Sequence, residues 1–112
     1  MSLGTFVLML HSHLPFFRKA GTWPFGEENL YECMAESYIP LLNTLYDLRD
    51  EGARPQLTIG VTPVLAEQLA DPYLQQGFVR YLENQRGWAE KDEARFAEQP
   101  ELRRLAAFHR QW

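Results

Sequence analysis

His11-Ser12-His13-Leu14-Pro15 is the first stretch of this 112-residue chain whose residue types could do chemistry, and it directly follows the apolar run Phe6 to Leu10. Side chains on an extended segment alternate between faces, so His11 and His13 share one side while Ser12 and Leu14 take the other. Two imidazoles at this spacing can chelate zinc or a related metal, as on the strand ends of barrel hydrolases. They can equally hydrogen-bond the hydroxyls of a polar substrate, one ring nitrogen donating and the other accepting. The plain structural alternative is that they cap neighbouring backbone groups.

The next segment favours the second chemistry. Phe16, Phe17, Trp23 and Phe25 are set among Arg18, Lys19, Gly21, Pro24 and Gly26. Aromatic faces beside polar groups suit carbohydrate, whose C–H faces stack on rings while its hydroxyls reach the polar rim. Trp23, between glycines and prolines, is a candidate stacking face, and Phe25 reads better as core for the helix that follows. Glu27, Glu28, Glu32 and Glu36 recur at helical spacing, but carboxylates near a helix N-terminus are favoured by its dipole and need no catalytic role. His109 and Trp112 are assigned none.

These groups need elements to position them. Phe6 to Leu10 and Leu57 to Val61 are short, continuous apolar runs, the pattern of strands buried on both faces, and strands are expected near 5–11 and 56–61. Between them, Leu30, Met34, Tyr38, Leu41, Leu45 and Leu48 recur at helical spacing. Pro40 lacks an N–H and clashes with the carbonyl four residues back, which predicts two helical pieces, about 27–38 and 40–51, stopped by Gly52. Thr62-Pro63 and Asp71-Pro72 each read as an N-cap followed by proline at the first helical position. The second opens a helix carrying Leu74, Phe78, Tyr81 and Leu82 and expected to end near Gly87. Beyond it, mixed acids and bases predict a solvated helical surface.

Strand, helix and strand make a βαβ unit, with a right-handed crossover expected. In such architectures active sites gather beyond the C-terminal strand ends, which is where the histidines lie and where Thr62 and Pro63 would join them. Two parallel strands leave both edges unpaired, and the C-terminal half offers no third strand pattern. The chain therefore reads as the first part of a larger sheet or barrel.

Composition narrows the function classes. The chain is 46% hydrophobic and 23% charged, as in a folded polypeptide. Its net charge of −4 argues against a nucleic-acid partner. The single cysteine, Cys33, excludes an intrachain disulfide and suits a reducing compartment. No export signal or run of about 20 apolar residues is visible, so a cytoplasmic location without membrane contact is expected.

Three stretches together resemble glycoside hydrolase family 57: His11-Ser12-His13-Leu14-Pro15-Phe16, Trp23-Pro24-Phe25-Gly26-Glu27-Glu28, and Ser37-Tyr38-Ile39-Pro40-Leu41-Leu42. Within it the pattern is closest to the 1,4-α-glucan branching enzymes, over about Thr5 to Pro63 and more loosely beyond. The resemblance implies an α/β fold, an incomplete (β/α)₇ barrel of which residues 1–112 form the N-terminal part of a single catalytic domain, with the rest of the barrel in cis. It implies an α-glucan substrate, no cofactor, no metal, and a retaining mechanism whose glutamate nucleophile and aspartate acid/base lie downstream, so that this chain alone is expected to be inactive. His11 matches the family's sugar-binding histidine beside the nucleophile, and His13 the second histidine of the branching-type motif. One position departs. Branching-type members usually follow Gly-Glu-Glu with a tryptophan lining the acceptor groove, and here Asn29 stands in its place. The rival readings are a metal-dependent hydrolase using the histidine pair and a non-catalytic remnant or binding module.

Overall fold

The computed structural model describes residues 3–111. They divide into two compact units, one running to Leu74 and the other starting at Gln75.

The first unit holds strand β1 (Met9–Ser12), helix α1 (Glu27–Cys33), a π-helical turn (Met34–Tyr38), helix α2 (Ile39–Asp50), strand β2 (Thr58–Val61) and helix α3 (Pro63–Ala70). Helix α4 (Pro72–Arg95) begins in this unit and continues into the second, which also contains α5 (Pro100–Gln111).

The strands pair in parallel as the apolar runs predict, with Met9, Leu10, His11 and Ser12 opposite Thr58, Ile59, Gly60 and Val61. The ladder is bounded by Thr58 N–H donating to the Leu8 carbonyl at 3.1 Å and Thr62 N–H to the Ser12 carbonyl at 3.3 Å. Phe6 and Val7, expected to be strand, lie before β1 and outside its register, and Leu8 joins the ladder only through its carbonyl. The apolar side chains of the sheet are not buried as their pattern implies. Val7 and Met9 are 76% and 67% exposed, and Ile59 and Val61 remain 41% and 48% exposed. The core of the unit lies in the helices instead, where Leu30, Tyr31, Leu65 and Leu74 are buried.

Pro40 does not split the helical stretch. The residues from Glu27 to Asp50 are helical throughout, with the turn before Pro40 widened to π geometry. Ile39 N–H donates five residues back, to the Met34 carbonyl. The wider turn carries the chain past the carbonyls that an α-helical proline would clash with, and a missing N–H is tolerated at the start of the next α-helical segment. The stop at Gly52 holds. Gly52 has φ +85° and its N–H donates to the Arg49 carbonyl at 3.0 Å, while Ala53 N–H reaches the Leu48 carbonyl at 2.9 Å. This pairing closes the helix end as a Schellman motif.

Both proline starts hold, with α3 opening at Pro63 and α4 at Pro72. The expected stop near Gly87 does not, because α4 runs through it to Arg95. A glycine inside a helix costs about 1 kcal/mol relative to alanine and ends it only when the backbone turns left-handed, and Gly87 has no positive φ. In the second unit, Arg110 pairs with Glu93 at 3.3 Å and ties α5 to α4. No described helix is long and apolar enough to cross a membrane.

Candidate functional site

β1 delivers His11, and the chain leaving it delivers His13. Their rings lie with centroids 6.5 Å apart and planes within 16°, both exposed. The period-two argument thus places the two imidazoles side by side, near parallel, at the C-terminal end of the ladder. Opposite His11 stands Gly60, and a Cβ built there would lie 3.3 Å from His11 Nδ1. The imidazole leans over β2 at a point where the partner strand has no side chain. Thr62, just beyond β2, has a buried hydroxyl with no hydrogen-bond partner among the described residues.

The loop from Leu14 to Gly26 is pinned by Gln68, which the sequence did not single out, and by Asp71 and Glu27, which it read only as helix-terminal residues. Gln68 of α3 is 1% exposed, and its whole amide is engaged. Its Oε1 accepts Phe17 N–H at 2.7 Å, and its Nε2 donates to the Pro15 carbonyl at 3.0 Å and to the Val64 carbonyl at 3.3 Å. Three residues on, Asp71 forms an ion pair with Arg18 and caps α4 by accepting Tyr73 N–H at 2.8 Å. The Tyr73 N–H bond and then the Arg18 guanidinium hold the Asp71 carboxyl below its usual range. Arg18 also lies 5.2 Å over the Tyr73 ring.

Glu27 closes the far end of the loop. Its Oε1 accepts Lys19 N–H at 2.7 Å, and its Oε2 accepts the Tyr31 and Tyr73 hydroxyls at 3.4 and 3.3 Å. The sequence reads Glu27 as charge matched to a helix dipole, whereas the structure also uses it to brace the loop. Gly26 makes this closure possible. Glu27 N–H donates to the Gly21 carbonyl at 2.9 Å and Glu28 N–H to the Thr22 carbonyl at 3.3 Å, so free amides at the start of α1 are satisfied by the loop itself.

The aromatics are presented, not buried. Trp23 is 73% exposed, and Phe25, read as core for α1, is 82% exposed. Phe25 does not pack on α1 as expected, because residues 21–26 fold back on their own backbone. No ring contact joins Trp23 to either histidine among the described residues. Nor do three or more His, Cys, Asp or Glu side chains gather there into a metal-ligand group. Cys33 is half-buried, and burial followed by the charges of Glu32 and Glu36 raises its thiol pKa, which disfavours the nucleophilic thiolate. The arrangement supplies two parallel imidazoles and, on the same braced loop, an exposed indole. These are hydrogen-bonding and stacking groups, with no paired carboxylates set across a reacting centre.

No protein-family model matches the chain. It is 47% identical over 89 residues to the 1,4-alpha-glucan branching enzyme of Thermococcus kodakarensis, a match covering 80% of this chain and 13% of that protein. Among solved structures it is similar to the GH57-type branching enzyme from Pyrococcus horikoshii, with 48% identity and a TM-score of 0.90 over 94% of this chain and 20% of that one. The alpha-amylase AmyC from Thermotoga maritima matches over the same shares of the two chains, at 32% identity and a TM-score of 0.78. The chain therefore spans a fifth or less of the length of the relatives it matches.

Proposed function

Because the chain matches the N-terminal portion of branching enzymes of glycoside hydrolase family 57, we propose that it is the first part of a retaining, α-glucan-active enzyme of the branching type. Its strands open an incomplete (β/α)₇ barrel completed in cis, and its role is to bind sugar while the catalytic carboxylates come from the remainder. The observation that carries this reading is the coincidence of near-half identity to a branching enzyme with a parallel histidine pair at the C-terminal end of β1.

In this reading His11 hydrogen-bonds the glucosyl unit beside the nucleophile, His13 extends the polar wall, and Trp23 stacks on a further glucose. The downstream glutamate attacks the anomeric carbon. The aspartate protonates the departing glycosidic oxygen, and the two carboxyls stand about 5–5.5 Å apart as in other retaining enzymes. The enzyme-bound glucosyl chain then passes to the 6-hydroxyl of another glucan, whose proton returns to the aspartate. Two inversions leave the new α-1,6 linkage with the configuration of the old one. Hydrogen bonds from His11 to a sugar hydroxyl accelerate the reaction to the extent that they strengthen as positive charge develops on the ring.

Incubating the full-length gene product with amylose and counting α-1,6 branch points against new reducing ends tests the proposal. Branch points in excess of reducing ends support transfer, and product with neither change refutes it. A second reading, hydrolysis, has a specific basis in Asn29 and in the likeness to an alpha-amylase. An amide offers no stacking face to hold the acceptor glucan, and water would then take the sugar. Reducing ends without branch points would decide for it.

A further inference from the structure

We propose that Gln68 is a positioning residue for His13, an inference that rests on the sugar-binding reading of the histidine pair and identifies what sets its geometry. Gln68 is the one buried polar side chain among the described residues, and its three hydrogen bonds leave its amide well satisfied. Two of them reach across more than fifty residues of sequence to grip both sides of Phe16, at the Pro15 carbonyl and the Phe17 N–H.

That grip transmits to His13 because few soft torsions lie between. Pro15 has its φ fixed by the ring, and Leu14, as the residue before a proline, is confined to extended conformations. On its other side His13 is only one residue beyond β1, whose register is set by the ladder to β2. The chain carrying His13 is therefore held at both ends, by β2 through Ser12 and by α3 through Gln68. Among the described residues, the one ring contact that His11 and His13 make is with each other. The third bond, to the Val64 carbonyl in the first turn of α3, fixes the amide's own orientation. A side chain that cannot both donate and accept leaves the part-buried Pro15 carbonyl or Phe17 N–H without its partner, and the loop must shift to rematch it.

Gln68→Glu in the full-length protein tests this. An ionised glutamate still accepts Phe17 N–H but faces the Pro15 and Val64 carbonyls with a second acceptor. The expected result is a loss of about tenfold in kcat/KM at neutral pH. The loss should recover as the carboxyl protonates, because the neutral acid again donates. In a His13→Ala background the same substitution should cost less than about twofold, since the group it positions is gone. Equal losses in both backgrounds, measured well below either Tm, would show that Gln68 acts on folding and not on His13, and would overturn the proposal. If Gln68→Glu fails to fold, Gln68→Met replaces it in the same cycle. A direct readout separates this inference from the function it rests on. The His13 imidazole resonances should move on Gln68→Glu whether or not His13 binds sugar, and unchanged resonances would sink the positioning role even if His13→Ala abolished activity.

Discussion

Gly26→Ala should be among the most damaging single-methyl changes in the first unit, although its φ of −162° is open to any residue. The cause is contact. A Cβ at position 26 would lie 2.2 Å from the Gly21 carbonyl oxygen, 2.4 Å from its carbon and 2.8 Å from Thr22 N. All three are backbone atoms, so no side chain can swing away, and the turn from Gly21 to Gly26 must open by about an ångström to reach ordinary contact. Opening it strains or breaks the 2.9 Å bond from Glu27 N–H to Gly21 and the 3.3 Å bond from Glu28 N–H to Thr22. Overpacking of this kind costs about 1–3 kcal/mol, and each lost backbone bond about 0.5–1.5 kcal/mol. The expected destabilisation of the loop is therefore about 2–6 kcal/mol, a large share of a domain's typical stability of about 5–15 kcal/mol. Limited trypsin digestion reads this locally, because Lys19 lies in the same loop and its N–H is tied to Glu27. In the full-length protein, cleavage after Lys19 should be at least ten times faster in the alanine variant, with a lower urea midpoint. An alanine variant with the wild-type cleavage rate and midpoint would refute the close approach on which the reasoning depends.

Asp71 predicts a pH dependence. Its folded carboxyl is held below the ordinary value by Tyr73 N–H and Arg18, so its contribution is present above the ordinary carboxylate pKa and is lost as pH falls through the depressed one. The stability gap between wild type and Asp71→Asn in the full-length protein should therefore be widest near neutrality and close on acidification; a gap that grows in acid would contradict the assignment. In the full-length protein, His11→Ala should lower kcat/KM about ten- to a hundredfold, from loss of a hydrogen bond of about 1.5–3 kcal/mol to a group charged in the transition state. Unaltered kinetics on amylose would remove His11 from the site. The isolated 112-residue chain should associate or unfold without a sharp transition, because Met9, Ile59 and Val61 stay exposed on a two-stranded sheet and Val7 just ahead of it. Covering such side chains is worth about 1.5–3 kcal/mol each when complete. A monomer by light scattering with cooperative melting would show that the sheet needs no further cover.

The parallel strands were legible because an apolar run without alternation has few other uses, and the histidine face followed from strand geometry alone. The rule applied at Pro40 had the right chemistry and the wrong outcome. A proline does conflict with the helix before it, but a π turn resolves the conflict without a break, and the apolar spacing of the sequence carries no mark of that turn. Gly87 misled for a similar reason, since a composition signal for a helix end is indistinguishable from a tolerated interior glycine until φ is known. The braces of the loop were out of reach. Gln68 reads as an ordinary helical amide and Glu27 as a dipole partner, and only the folded chain shows that both meet the backbone of residues 15–19. Phe25 was misread because aromatic residues ahead of a helix usually pack on it, whereas this loop folds onto its own carbonyls and turns the ring outward.

The most direct test of the central claim is to put this chain in place of the matching N-terminal portion of the Pyrococcus horikoshii branching enzyme, to which it is 48% identical, and to count α-1,6 linkages formed from amylose. The account predicts a folded chimera that makes branch points and loses most of that activity on His11→Ala. A folded chimera that makes none, or that branches equally well without the His11 imidazole, would contradict it.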